Sequence, residues 1–278
     1  MTKSILASLS GLSSDRAVLE TAMALARIEG GAVMCLRARI DVVDAAAVLS
    51  VGFPNPGMPI ADSIASIREE ETQRSRHARE AYDEAIARHR IGKDGGVSLT
   101  WAETTSLFGE LIAQARYHDL TVMGRDAELS PESIRTVLLA SGRPLVLAPP
   151  RPQQTIGKTI AIAWKEGAEA ARAVAAAETL FAKAERIFIL SAPEGSRDEA
   201  AKDVAHLASQ FAAKGLKVET RLAEAGGGAR AIRNLAYDCD ADLLVMGAYG
   251  HSRMREMILG GVTEAMLADC AIPVFFFH

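Results

Sequence analysis

One stretch of this chain is written twice. Asp119-Leu-Thr-Val-Met-Gly124 returns as Asp242-Leu-Leu-Val-Met-Gly247, 123 positions later. Each copy is a short apolar run that stops at a glycine, as a buried strand does where it turns into a loop. The surroundings repeat too. Ser4 to Leu9 opens the chain as a strand, and Ser14 to Ile28 has helical spacing through Val18, Leu19, Ala22 and Leu25. Thr159 to Trp164 opens the second half, with an Ala-rich helix predicted from Glu166 to Lys183. Pro144-Leu-Val-Leu-Ala148 closes one half and Pro273-Val-Phe-Phe-Phe277 the other. A repeat of this length restricts the fold strongly, because what one half forms the other must form as well.

Within each half, apolar strands alternate with amphipathic helices. In the second half the strands are predicted at 159–164, 186–191, 217–222, 242–246 and 273–277. The helices are predicted at 166–183, 196–214, 228–239 and after Gly260. This alternation implies α/β architecture: parallel sheets with helices on both faces. Three prolines among Pro149-Pro150-Arg151-Pro152 make a linker, so two tandem doubly wound domains are expected, at 1–150 and 155–278. The first half carries an insertion around Asp41 to Ile60, read as a surface flap. The helix after it, from about Ser63 to His89, carries a charge run read as a solvated face.

Composition excludes several partners. The formal charge of −4 and 5% aromatic content leave neither the basic surface that displaces counterions from nucleic acid nor platforms for stacking bases. No apolar run approaches the roughly 20 residues of a membrane helix, and no signal-peptide pattern opens the chain. Cys35, Cys239 and Cys270 are odd in number and widely spaced, so they read as buried free thiols in a reducing compartment. A cytoplasmic protein without nucleic-acid or membrane partners is expected. The six histidines are scattered, and no cluster has metal-ligand spacing.

The chemistry concentrates in one loop, Gly247-Ala-Tyr-Gly250-His-Ser-Arg-Met-Arg-Glu-Met-Ile-Leu-Gly260-Gly261-Val262-Thr263. Glycines let backbone N–H groups approach a ligand closely, and the free donors at the start of the following helix suit an anion. The Thr263 hydroxyl adds a donor and Arg253 and Arg255 add positive charge. A phosphate-bearing ligand fits this set.

The spacing Gly247-x2-Gly250-x9-Gly260, followed by Gly261-Val262-Thr263, resembles the G-x2-G-x9-G-(S/T) loop of the universal stress protein family. Ile160-Ala-Ile-Ala-Trp164-Lys165-Glu166-Gly167 is similar to that family's first strand and turn. The order of elements matches over both halves as a tandem arrangement. The resemblance implies a five-stranded parallel sheet of order 3-2-1-4-5 in each domain, with ATP held at the carboxyl ends of strands one and four. Carried over by position, Gly247, Gly250, Gly260, Gly261 and Thr263 contact phosphates, and Met246 and Val262 line the adenosine side. Ala163 and Lys165 face the same crevice from the first strand. Two positions depart from the family pattern: its acidic residue at the first turn is Lys165, and its Ser/Thr after the third glycine is Gly261.

The first half looks like a degenerate copy. Its turn reads Ser10-Gly11 without an aspartate, and acidic residues including Asp126 follow Gly124 where an anion would need donors. The terminal strands are expected to pair the halves as an intramolecular pseudo-dimer, and a homodimer is compatible with the same apolar edges. The expected function is a stress-response protein with a sensor or regulatory role, binding an adenine nucleotide (ATP, with magnesium) in the second domain. The alternatives are an interaction module that has lost the nucleotide and a slow ATP hydrolase of the adenine-nucleotide α-hydrolase type. No catalytic nucleophile–base pair is visible.

Overall fold

The structure, a computed structural model, describes residues 3–39, 60–89, 96–105, 108–126, 131–193, 195–224, 226–250 and 261–278. The first half supplies strands β1 (Ser4–Leu9), β2 (Ala32–Ala38), β3 (Ser98–Thr104), β4 (Leu120–Met123) and β5 (Leu145–Leu147). The second supplies β6 (Thr159–Ala163), β7 (Arg186–Ser191), β8 (Glu219–Leu222), β9 (Leu243–Gly247) and β10 (Val274–Phe277). The helices are α1 (Asp15–Glu29), α2 (Ile60–His89), α3 (Phe108–Tyr117) and α4 (Pro131–Ala140), then α5 (Ala168–Ala176), α6 (Glu178–Phe181), α7 (Arg197–Ala213), α8 (Gly228–Asp238) and α9 (Gly261–Ala268).

All ten strands form one sheet, in the order β3-β2-β1-β4-β5-β10-β9-β6-β7-β8. Each half therefore has the expected order 3-2-1-4-5, with parallel pairing throughout. The halves meet where β5 and β10 run antiparallel, with Leu147 opposite Val274, Val146 opposite Phe275 and Leu145 opposite Phe276. Both strands are apolar and nearly fully buried. Left unpaired, either edge would expose a row of backbone donors and acceptors beside apolar side chains, and pairing the two removes both edges.

The junction makes the halves one packed body. One buried cluster runs from Ile5 and Val18 in the first half to Ile160 and Phe181 in the second, and the other from Leu6 and Leu138 to Leu244 and Phe276. Helices α1, α2, α5, α6 and α7 cover the first face, and α3, α4, α8 and α9 cover the second. No described helix is long and apolar enough to cross a membrane.

Local chemistry explains the repeated motif. The Asp242 carboxylate accepts from the backbone N–H groups of Gly157 (2.9 Å), Lys158 (3.2 Å) and Thr159 (3.0 Å), tying the start of β9 to the start of β6. Asp119 accepts from Ser4 N–H at 2.9 Å in the same place in the first half. Helix α1 ends at Gly30, whose φ of 67° lets its N–H return to the Ala26 carbonyl. The three cysteines are buried and unpaired, and burial pushes the Cys35 thiol up to about 12.

Three details differ from expectation or fall outside the description. The helix predicted over 166–183 breaks at Ala177, where a tighter turn directs Leu180 and Phe181 into the core against α1. The charge run of α2 is not wholly a solvated face. Glu71 is 3% exposed and pairs at 2.8 Å with the equally buried Arg37, alongside exposed i,i+4 pairs such as Arg79 with Asp83. The insertion expected around Asp41 to Ile60 lies outside the described residues up to the start of α2.

Candidate functional site

In the second half, β6 pairs with β7 on one side and β9 on the other. The connections leaving β6 and β9 pass to opposite faces of the sheet, because α5 packs on one face and the helices flanking β9 on the other. A crevice must open beyond the carboxyl ends of such strands. It holds a cavity of about 410 Å³. Ala163 and Lys165 reach it from the end of β6, Met246, Gly247 and Gly250 from the end of β9, and Val262 and Thr263 from the first turn of α9. Gly261 begins α9 but is not on the wall. Gly260, with His251, Arg253 and Arg255, lies outside the described residues.

Several wall residues lie beyond the expected contact positions. Trp164, Glu169, Ala192, Gly228, Ile232 and Tyr249 also line the cavity. Ala192 and Gly228 flank the end of β7 and the start of α8, so the strand order alone could have pointed to them. Of the run Gly226-Gly227-Gly228 before α8, the last member stands on the wall.

The glycines differ in what they do. A Cβ on Gly247 would lie 2.5 Å from the Ala170 nitrogen and 2.6 Å from the Glu169 carbonyl carbon. Glycine is therefore required there by the close approach of α5. At Gly250 a Cβ would meet only Glu169 Oε2, at 3.5 Å. Glu169 itself is 5% exposed, a buried carboxylate set at the mouth of α5.

Tyr249 sits between them in the left-handed region, φ 54°. Its N–H faces Thr263 Oγ1 at 3.5 Å, and its hydroxyl donates to Glu264 Oε1 at 2.5 Å. Burial and the bond to Glu264 push its phenol up to about 12. A third contact comes from the other half: Arg135 on α4 donates Nε to the Tyr249 hydroxyl (3.3 Å) and Nη2 to Glu264 Oε2 (3.0 Å).

Comparison with known proteins adds the family. Residues 148–278 match the model of the universal stress protein family. The second half is thus similar to the universal stress protein domain. A universal stress protein of Synechocystis sp. is 41% identical over 64 residues, 23% of this chain and 22% of that relative, so the match spans under a quarter of its length. The solved structure of a universal stress protein from Archaeoglobus fulgidus DSM 4304 superposes with a TM-score of 0.71 at 15% identity, over 99% of this chain and 97% of that one. A functionally unknown protein of Pseudomonas aeruginosa PAO1 gives 0.59 at 16% identity, over 99% and 92%. These two likenesses show that the whole ten-stranded arrangement is a recurring fold.

The family resemblance places an acidic residue at Lys165, whose side chain carries only donors. The wall nevertheless contains a buried acceptor, Glu169, four residues on. Among the described residues, no three His, Cys, Asp or Glu side chains gather as a metal site.

The matching crevice of the first half is filled by its own chain. Asp126, 9% exposed, accepts from Ser10 Oγ (3.2 Å), Ser13 Oγ (3.3 Å), the Ser14 N–H (3.1 Å) and, more closely, Ser14 Oγ. The acidic run after Gly124, read as hostile to an anion, thus supplies the anion that the donors at the start of α1 hold. Asp15 completes the turn by accepting from Ser10 N–H and Gly11 N–H, each at 2.8 Å. Gly11, at φ 77°, has the backbone of Arg74 on α2 pressed against it. The turn itself holds no aspartate; Asp15 reaches back to it from the first turn of α1.

This arrangement has a pH signature. Burial pushes the Asp15 carboxyl from 3.8 up to about 6, against its backbone hydrogen bonds and with the neighbouring Asp126 adding to the rise. Between these values the folded chain binds more protons than the unfolded one, so this group's contribution falls as pH rises from about 4 to 6. From pH 7 to pH 5 the Asp15 contribution to stability should grow by on the order of 1 kcal/mol. Urea unfolding of the wild type and Asp15→Asn at the two pH values reads it as a difference that the variant lacks.

Proposed function

We propose that the second half binds an adenine nucleotide, ATP with magnesium, in the cavity between β6 and β9. On this reading the repeat at 155–278 is the binding unit and the repeat at 1–150 a structural partner. The chain then serves in the cytoplasm as a stress-linked sensor or regulatory protein rather than a fast catalyst. The observation that carries the proposal is convergence: seven of the nine residues expected to contact the nucleotide line one cavity at the point where the strand order reverses.

The chemistry of the wall supports it. Pockets for small ligands run from about 300 to 1,000 Å³ and are mostly apolar with a few placed polar groups. This one holds about 410 Å³ among Met246, Val262, Ile232 and Trp164. The start of α9 with Thr263 offers donors for phosphate, and Lys165 offers a point charge. Glu169 offers the acceptor that ribose hydroxyls or an adenine amino group need. Magnesium would come with the phosphates, neutralising their charge near Glu169.

The test is calorimetric titration of magnesium-ATP into nucleotide-free protein. A one-to-one micromolar isotherm is expected. Gly250→Asp, whose Cβ fits at ordinary contact distance, places a second carboxylate beside Glu169 and should weaken binding about 30-fold or more. No heat from folded protein at millimolar ATP would remove the proposal. The interaction-module reading, which Lys165 and the missing hydroxyl at Gly261 favour, would then replace it.

A further inference from the structure

Among the described residues, none of the first half lines the cavity, yet two of its arginines grip the helix that forms the cavity's wall. Arg125, just past β4, donates to the carbonyls of Met266 (2.7 Å), Leu267 (2.7 Å) and Cys270 (2.8 Å) at the far end of α9. Arg135 holds the near end through Glu264 and reaches Tyr249 with the same guanidinium. We propose that the first half is the positioning element of the second half's cavity, and that Arg135 is the positioning residue that sets Tyr249 and the first turn of α9.

The argument rests on what Arg135 joins. A partly exposed ion pair alone fixes little, and Arg135 and Glu264 are 20% and 27% exposed. Here the planar fork spans two separate elements, the loop after β9 and the start of α9, which no single donor could do. One of them is strained: Tyr249 holds φ at 54° without being glycine. Such a backbone persists only where its surroundings over-determine it. Within the second half its polar restraints are a long contact to Thr263 and one bond to Glu264, beside an edge-on ring contact with His278 and burial in the core cluster. Arg135 ties both to α4, which is packed on the sheet through Ile134, Val137 and Leu138. Couplings between binding and structure are reciprocal, so a ligand that stiffens this wall also stiffens the contact to α4.

The cavity geometry can be tested without a ligand, and the nucleotide part rests on the function proposed above. Amide hydrogen exchange of the full-length, nucleotide-free chain is followed by mass spectrometry on peptides covering 244–250 and 261–266. Arg135→Ala should speed exchange there about five- to ten-fold, leaving α7 unchanged. Arg135→Lys keeps the ion pair but not the fork and should restore the 261–266 peptide more than the 244–250 peptide. Arg197→Ala, which breaks an exposed pair with Glu224, should change neither. Exchange in Arg135→Ala equal to wild type, or accelerated uniformly across the molecule, would overturn the proposal. In a wild type that binds magnesium-ATP, Arg135→Ala should weaken binding by a similar factor, and undiminished affinity would also overturn it. A wild type that binds no nucleotide defeats only the function proposed above, since the exchange comparison is decided on its own.

Discussion

Alanine at position 125 is expected to lower the unfolding free energy by about 3–4 kcal/mol. The Arg125 guanidinium makes three bonds of 2.7–2.8 Å, all to backbone carbonyls at the end of α9. The last carbonyls of a helix have no partner within it, and a cation at that end also meets the negative pole of the helix. Truncation removes three charge-assisted bonds at once and leaves acceptors in a partly buried junction between the halves. Arg125→Lys should recover only a fraction, because one ammonium cannot reproduce the geometry of the fork. Urea unfolding followed by circular dichroism measures both variants. A loss below about 1 kcal/mol in Arg125→Ala would mean that water replaces the guanidinium freely and that the halves are held by the sheet junction alone.

The second large effect concerns the repeated glycine. Gly247→Ala should cost about 3 kcal/mol, whereas Gly250→Ala should be close to neutral. The contrast follows from what each new methyl group meets. At 247 it is pressed against the backbone of Glu169 and Ala170, which move only if α5 withdraws from β9. At 250 it makes ordinary contact with the end of a side chain. Thermal melts of the two variants side by side test this, and equal melting temperatures would show that α5 is free to yield. Gly247 thereby acquires two roles, since the space its absent side chain leaves is both the seat of α5 and part of the cavity wall. Gly250 is therefore the cleaner position for probing a ligand.

The alternation of strands and helices and the two helical faces were legible in the sequence, because each depends on a pattern that lies along the chain, whereas the strand order and the place of the crevice came from the family resemblance. Apolar runs ending at Gly124 and Gly247 mark strands by burial. Helical spacing in Ser14 to Ile28 marks a packed face. The repeat of Asp119 and Asp242 marks the same tie between strand starts, made by a carboxylate on backbone N–H groups. Seven residues of the cavity wall could be named from the family resemblance, whose motif positions sit at strand ends or at a helix start, where position in the element fixes position in space.

Other features belong to the tertiary structure. That β5 and β10 pair the halves was expected, but their antiparallel direction and their register, with Val146 opposite Phe275, were decided only in the packed structure, because apolar edges carry no label for either. Asp126 was read as a charge that repels a ligand, yet in the fold it satisfies the donors of Ser10, Ser13 and Ser14. Its meaning turned on three hydroxyls more than 110 residues away in the chain. Arg125 and Arg135 left no trace in the sequence: the carbonyl groups that accept from Arg125 are the same at every residue, and the Tyr249 hydroxyl and Glu264 carboxylate that accept from Arg135 lie more than 110 residues away in the chain. Periodicity along the chain records how deeply each segment is buried. Which donor meets which acceptor is decided only when the segments pack, because hydrogen bonds act over about 3 Å and the partners are brought that close by the fold alone.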